Sequence, residues 1–596
     1  MEMIKKIGLG IFLFALATFI SLLFISQYEV TDENLAEIRE QLNQQHQEGF
    51  IDQLGSLKGQ TYGFKFSYVA KLKNQMKVFN QQMQEEFGVD QRRLSNYIEA
   101  VANKAQSVDG KLVFTAKIRE EANAVLPEIV REKVNEKTAW MIEEGRSFAS
   151  AEDLKNNLKN EVDYVAGRLV GEKQIDKNHR KNYLYTIVKA TSKGIFWDHP
   201  YLFFWLVIGL GIFGSLMYIY PNFFNGLAGI KHNGIFHRSS TSLGLVGILT
   251  GVFLISFYIF LYYSHYYIAE WISLIDPMSQ LIRGEPATQW FMYGFLYTVA
   301  IVVMGLRMFA KYRHSNYHKI RTASVMFFQT AFAFMIPQIL YLLNLPEQDL
   351  KNIWPLDYTF FFSYKLDSFS ATQIGMWMMV WGIILTIIGV PIFTYFFGKR
   401  WYCSWVCGCG GLAETLGDPY RQLSNKSLKA WKIERYLIHS VLIFVIVMTG
   451  ATLYTYFSES STLLGINTYS IQETYGFVIG AGFAGVIGTG FYPLMGNRVW
   501  CRFGCPLAAY LGIVQRFKSR FRITTNGGQC ISCGNCSTYC EMGIDVRYYA
   551  QRGQNIVRSS CVGCGVCAAV CPRGVLALEN GPNVDESRMS ELYERI

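Results

Sequence analysis

Eight apolar runs decide what this chain can fold into. They lie near residues 7–26, 200–220, 242–265, 289–309, 323–344, 372–397, 436–457 and 473–492. Each approaches the roughly 20 residues that a helix needs to cross the hydrocarbon core of a bilayer. Lipid offers no hydrogen bonds, so the backbone has to satisfy itself within the segment, as a helix does. A purely soluble enzyme is excluded. A disordered chain is excluded too, because hydrophobic residues make up 51% of the 596 and charged residues only 17%.

The 56 basic and 46 acidic residues leave a net charge of +10. Their placement points to membrane topology rather than nucleic acid, since Lys and Arg collect in cytoplasmic loops. Lys5 and Lys6 precede the first run, and Lys231 and Arg238 lie between the second and third. Lys311, Arg313, Lys319 and Arg321 lie between the fourth and fifth, and Lys399, Arg400, Arg421, Lys426, Lys429, Lys432 and Arg435 between the sixth and seventh. The intervening loops are poor in basic residues. All basic loops share one side if both termini are cytoplasmic, so a multi-pass protein of the bacterial cytoplasmic membrane is expected. Residues 27–199 are then outside. No small-residue cleavage site follows the first run, so residues 1–26 are expected to be an uncleaved signal anchor.

The expected fold class is all-α and polytopic, with an extracytoplasmic helical domain (27–199), a membrane core (200–492) and a small α+β ferredoxin-like tail (493–596). In 27–199, Ser150 and Asp153 form a capping box, followed by Leu154, Leu158, Val162, Val165 and Leu169 at helical spacing. Stretches near 32–48, 67–86 and 117–145 also read as helices, with a short strand near Lys111–Ala116. No cofactor cluster stands out there, and a packing or docking role is expected.

All 13 cysteines fall at position 403 or later, in segments expected to be cytoplasmic, where thiols stay reduced and can ligate metal. A disulfide-built secreted protein is excluded. Cys530, Cys533, Cys536 and Cys540 form C-x2-C-x2-C-x3-C; Cys561, Cys564, Cys567 and Cys571 repeat it, with Pro572 following. This is the spacing of two-cluster ferredoxins, in which the fourth cysteine of each run ligates the other cluster. Cys530, Cys533, Cys536 and Cys571 are thus expected to hold one 4Fe-4S cluster, and Cys561, Cys564, Cys567 and Cys540 the second. Gly534, Gly563 and Gly565 would let backbone approach the sulfides. Structural zinc is the competing reading, but zinc sites pair two separated C-x2-C units. Glu541 follows the first run where proline follows the second, which alters the field there without removing a ligand.

Two further motifs sit at the membrane edge. Cys403 and Cys407 follow the sixth run, and Cys501 and Cys505 follow the eighth; each is a C-x3-C preceded by a basic residue and Trp. On a helix, i and i+4 share one face, so each pair could offer two thiolates to a shared redox metal centre, with Cys409 a fifth thiol nearby. Iron–sulfur, copper and zinc all suit four sulfurs; reduced packing cysteines or reversible disulfides are the alternative.

Paired C-x3-C motifs followed by a two-cluster tail resemble the NapH/NosR-type membrane polyferredoxins. The likeness covers about 372–580 and is carried largely by CRFGCPLAAYLGI at 501–513 and CEMGIDVRY at 540–548. The resemblance implies single-electron transfer between the quinone pool or a cytoplasmic donor and a periplasmic or membrane redox partner. It also leaves open a maturation role, in which the clusters reduce a metal or disulfide during assembly of a respiratory metalloenzyme. The family's C-x3-C-P is replaced at the first motif by Gly408 and Cys409. No flavin-attachment threonine motif occurs in 27–199, where Asp109-Gly110-Lys111-Leu112 is the nearest string, so no covalent flavin is expected. No C-x-x-C-H occurs, so no c-type haem is expected either. His265 and His439 fall at opposite depths, which disfavours a b-type haem. His314 and His318 are expected to be solvated loop residues.

Overall fold

The computed structural model describes residues 1–87, 91–108, 111–126, 128–142, 147–148, 150–224, 228–230, 244–458, 462–463 and 466–581. Lys231, Arg238, Asp109 and Gly110, and the side chain of Leu169, lie outside the described residues.

Among the described residues, seven helices are long and apolar enough to cross a membrane: Glu2–Phe24, Pro200–Phe224, Leu245–Tyr263, Gln289–Lys311, Asn316–Leu342, Gln373–Phe397 and Leu428–Phe457. The eighth expected span is helical from Thr468 to Gly490 but is not among them. Gln472, Glu473 and Thr474 open it, and six glycines from Gly476 to Gly490 dilute its apolar surface. Those glycines admit close neighbours: a Cβ on Gly485 would lie 2.5 Å from the Tyr262 ring, and one on Gly480 2.5 Å from the Tyr358 hydroxyl. Small residues at helix contacts are how backbones approach within membranes.

The chain forms two compact units. One comprises Ser21–His199 with Ser264–Glu270, so the expected 27–199 domain is completed by a piece of the loop after the third span. A three-stranded antiparallel sheet, Thr61–Tyr62, Gln27–Glu29, Ser192–Lys193, ties its start to its end. Two apolar cores fill it: one around Phe50, Tyr68, Phe79 and Ile187, the other around Tyr97, Phe114, Val130 and Leu158. Ser150 caps Ala151–Lys173 by accepting the Asp153 N–H at 3.1 Å. Leu154, Leu158, Val162 and Val165 are buried along that helix. The expected strand is Lys111–Val113; the 117–145 stretch is a series of shorter helices, Ala116–Ala122, Glu128–Lys137 and Ala139–Ile142.

In this unit Lys65 and Glu270 form a fully buried ion pair. Lys65 also donates to the Tyr267 carbonyl at 2.9 Å, and the Tyr28 hydroxyl donates to Glu270 at 2.9 Å. Removing one partner of a buried pair strands the other charge, so Lys65→Met is expected to cost about 3–5 kcal/mol. Fluorescence-detected unfolding of the full chain in detergent checks this; an unchanged midpoint refutes it.

The second unit comprises Met1–Ile20, Pro200–Tyr263 and Trp271–Ile596. The tail, expected as a domain of its own from 493, belongs to it. The strand Phe521–Thr525 pairs antiparallel with Leu576–Asn580 and closes the cysteine-bearing loop between them.

Candidate metal centre

The two tail cysteine runs fold as a repeat. Ser532 and Gly563 occupy equivalent positions with φ of 59° and 60°; Gly534 and Gly565 follow with 76° and 82°, and Gly543 and Gly574 with 67° and 61°. Left-handed residues alternating with ordinary ones turn successive N–H groups toward one concavity, which suits an anionic ligand. Short helices, Asn535–Thr538 and Val566–Ala569, start at the second of these turns. Cys530, Cys533, Cys536 and Cys571 line one small pocket together. That pocket brings Cys571 of the second run together with three cysteines of the first. Burial pushes the Cys567 thiol up, and the nearby Cys564, Cys561, Cys540 and Cys536 push it further the same way.

The second run is held against the membrane helices through four consecutive carbonyls. Gln515 donates to Cys561 O at 2.9 Å, Ser404 to Val562 O at 2.8 Å and Tyr317 to Gly563 O at 2.7 Å, and Arg321 donates to Cys564 O. The first run is left at the outside: Cys533 is exposed and Ile531 is 54% exposed.

At the membrane edge, Cys403, Cys407, Cys409, Cys501 and Cys505 line one small pocket. Cys403, Cys407, Cys501 and Cys505 are buried and Cys409 is exposed. The expected i, i+4 arrangement on one helix is corrected. Cys403 ends the short helix Arg400–Cys403, and Cys407 is the N-cap of Gly408–Thr415; Cys501 lies in Val499–Phe503, and Cys505 is the N-cap of Pro506–Lys518. Ser404 and Gly504 end the first helix of each motif. The chain then folds back, so that Cys407 N–H meets Tyr402 O at 2.8 Å and Cys505 N–H meets Trp500 O at 3.0 Å. The two motifs share this turn. Each places its second cysteine at the positive end of a helix, which favours a thiolate, and Cys505 Sγ accepts the Ala508 N–H at 3.4 Å. Gly410 permits the convergence: a Cβ there would lie 2.0 Å from the Cys403 carbonyl oxygen.

Sulfur donors in small pockets suit soft metal sites. Burial pushes the Cys403 and Cys561 thiols up, to about 12 and about 11, so a bound metal is what would hold these sulfurs as thiolates.

Several side chains of the region escaped sequence reasoning. Glu414, Arg421 and Arg498 are wholly buried between the two cysteine groups. A lone glutamate in the glycine-rich run Gly408–Leu416 was the available signal. His318 is buried rather than solvated; it stacks on Tyr312 at 4.4 Å and bonds Ser315 at 2.8 Å. His314 is exposed. An apolar cavity of about 390 Å³ opens among the first four spans, and the ring of Tyr297 in its lining lies 3.8 Å from the Cβ position of Gly408, between Cys407 and Cys409. Tyr258, Tyr293 and Tyr297 line it together with Leu412, which lies on the helix that Cys407 caps.

Residues 529–576 match a family model described as a 4Fe-4S dicluster domain, and residues 379–429 and 475–524 each match one described as a 4Fe-4S binding domain. The latter two segments contain the membrane-edge cysteines. The cysteine-bearing part of the chain is similar to ferredoxin-type electron transport proteins, NapH among them. The electron transport protein YccM of Escherichia coli is 30% identical over 157 residues, covering 25% of this chain and 43% of YccM. The methylamine utilization ferredoxin-type protein MauN of Methylobacillus flagellatus is 25% identical, covering 29% and 57%. The ferredoxin-type protein NapH of Haemophilus influenzae is also 25% identical, covering 26% and 53%. The chain spans about half the length of the curated relatives it matches. No solved structure matches it. The chain carries 4Fe-4S binding domains and, among the described residues, seven helices long and apolar enough to cross a membrane.

Proposed function

We propose that this polyferredoxin carries single electrons between a quinone in the apolar cavity and a protein partner at the exposed end of the tail. The convergence of five cysteines in one pocket carries this reading, together with a tyrosine-lined cavity whose Tyr297 ring lies 3.8 Å from the Cβ position of Gly408. Cys403, Cys407, Cys501 and Cys505 would hold a third cluster, with Cys409 a spare thiol. Cys540, Cys561, Cys564 and Cys567 would hold the cluster nearest the membrane. Cys530, Cys533, Cys536 and Cys571 would hold the outermost one. Iron–sulfur clusters supply reversible one-electron storage when bound.

The protein's own residues do the rest. Phe12, Phe19, Phe253 and Phe257 offer an apolar bed for an isoprenoid tail. The Tyr293 and Tyr297 hydroxyls would orient the headgroup, and their rings lie 5.4 Å apart. Oxidation of one quinol to quinone gives up two electrons and two protons, the electrons leaving one at a time; reduction is the reverse. With the cysteine side cytoplasmic, the basic loops obey the positive-inside rule, and the partner of the tail is a cytoplasmic protein or domain. The unit formed by 21–199 would then dock a periplasmic or membrane partner.

The test uses the full chain, purified anaerobically in nanodiscs, with EPR after addition of a reduced quinone or of dithionite. Both reductants are expected to elicit iron–sulfur signals. Tyr297→Phe is expected to slow the quinol reaction at least tenfold, about 1.4 kcal/mol in the barrier, and to leave the dithionite reaction unchanged. Reduction by dithionite alone in the native protein would overturn the quinone reading.

A further inference from the structure

Arg498 stands at the meeting point of the two cysteine groups. Its Nη1 donates to Cys501 Sγ at 3.7 Å and to the Cys403 carbonyl at 3.3 Å. Its Nη2 lies 2.8 Å from Glu414 and 3.0 Å from Glu541. Its Nε is buried without a hydrogen-bond partner among the described residues. Glu414, Glu541 and Cys564 in turn bring ligand atoms within 4.8 Å of one another. That trio is no cation site, because guanidinium groups already fill it: Arg421 lies 3.0 Å from Glu414 and 3.3 Å from Glu541, and Arg321 lies 3.0 Å from Glu414. Asn497 adds a hydrogen bond to Glu541 at 3.2 Å. Three guanidiniums thus face these two carboxylates between the two cysteine groups, and Arg421 also lies 3.2 Å from the buried Asp418.

Charges removed from water act strongly on their neighbours. A cation or hydrogen-bond donor at a ligand sulfur stabilises the reduced, more negative form of an iron–sulfur centre and raises its potential. A carboxylate beside a centre does the opposite. Replacing a buried ion pair by apolar residues is often neutral or stabilising, so a cluster of three buried arginines, two glutamates and Asp418 is poorly explained by stability alone.

Resting on the reading of Cys403, Cys407, Cys501 and Cys505 as a cluster site, we propose that Arg498 is a positioning residue that sets the potential of that centre. Through Glu414 and Glu541, it couples that potential to the cluster at Cys561, Cys564 and Cys567. Glu541 occupies the place where the other run has Pro572, and this departure creates the link: its carboxylate joins Arg498 to the surroundings of Cys564. The arrangement holds the membrane-edge centre easy to reduce and its neighbour harder to reduce, which grades the electron's path.

Redox-titrated EPR of the full chain in nanodiscs tests this with Arg498→Gln, Arg498→Lys, Glu541→Gln and the double variant Arg498→Gln/Glu541→Gln. Arg498→Gln is expected to lower the reduced-to-oxidised ratio of the membrane-edge centre at fixed potential at least tenfold, about 59 mV for a one-electron couple. Arg498→Lys keeps the charge but loses the fork, and shifts it less. Glu541→Gln raises the reduced fraction of the tail cluster instead. Where Arg498→Gln fails to assemble, the double variant and Arg498→Lys carry the test. Midpoints within threefold of the native ratio in every variant that retains its iron overturn the proposal. A native protein with tail signals but no third iron–sulfur signal overturns the reading beneath it, which is a distinct result.

Discussion

Cys501→Ser is expected to abolish quinol-dependent reduction of the protein while leaving the tail's iron and acid-labile sulfide in place. Changes merely adjacent to metal ligands cost about 10–100-fold in metal affinity or activity, so loss of one of four sulfurs at a buried site exceeds that. The serine hydroxyl nearly fills the same volume, and Cys501 sits in a packed environment with Trp500 and Ala508, so the fold persists. Iron analysis and EPR after dithionite measure the tail; EPR after quinol measures the membrane edge. Cys533→Ser, at the exposed end, supplies the converse, since it should damage a tail signal and spare reduction by quinol. Equal loss of both signals in both variants would show that the centres do not form separate stations.

Gly410→Ala is the second large effect. The added Cβ meets a backbone oxygen at 2.0 Å and the Cys403 carbonyl carbon at 3.0 Å, and neither can rotate away as a side-chain end would. Overpacking a core costs about 1–3 kcal/mol, sometimes more. Here the strain falls on the contact that brings the 403–407 segment onto the Gly408–Thr415 helix, so the membrane-edge centre should be lost before the chain unfolds. Gly450→Ala is the control: that glycine lies in Leu428–Phe457 with nothing within 4 Å of the Cβ position, and alanine should leave iron content unchanged. A Gly410→Ala protein with a full complement of iron and native quinol reduction would refute the packing argument.

Much of the site was legible because its signals are local. Eight tail cysteines fall in two runs whose spacing is fixed by covalent geometry, and the glycines among them occur where the backbone turns left-handed. Helix in 27–199 was readable from Ser150 onward because a cap and an apolar period coincide. The i, i+4 reading of the membrane-edge motifs went astray for an equally local reason: Ser404 and Gly504 interrupt the helix, and a spacing of four does not record a reversal of the chain. The span count differed because a glycine-rich helix is apolar in character but short of apolar surface.

The sequence by itself determined that the chain is a helical membrane protein and that its tail is a ferredoxin-like cysteine framework. Both follow from neighbours along the chain, where hydropathy and ligand spacing are written out directly. Only the tertiary structure decided that Cys403 and Cys407 share a pocket with Cys501 and Cys505, and that the second tail run is seated through Gln515, Ser404, Tyr317 and Arg321. It also decided that Glu414, Arg498 and Glu541 meet in the interior between those sites. Each of the three is an ordinary charged residue in its own stretch of sequence. They become a unit because packing removes them from water together, where each charge requires the others.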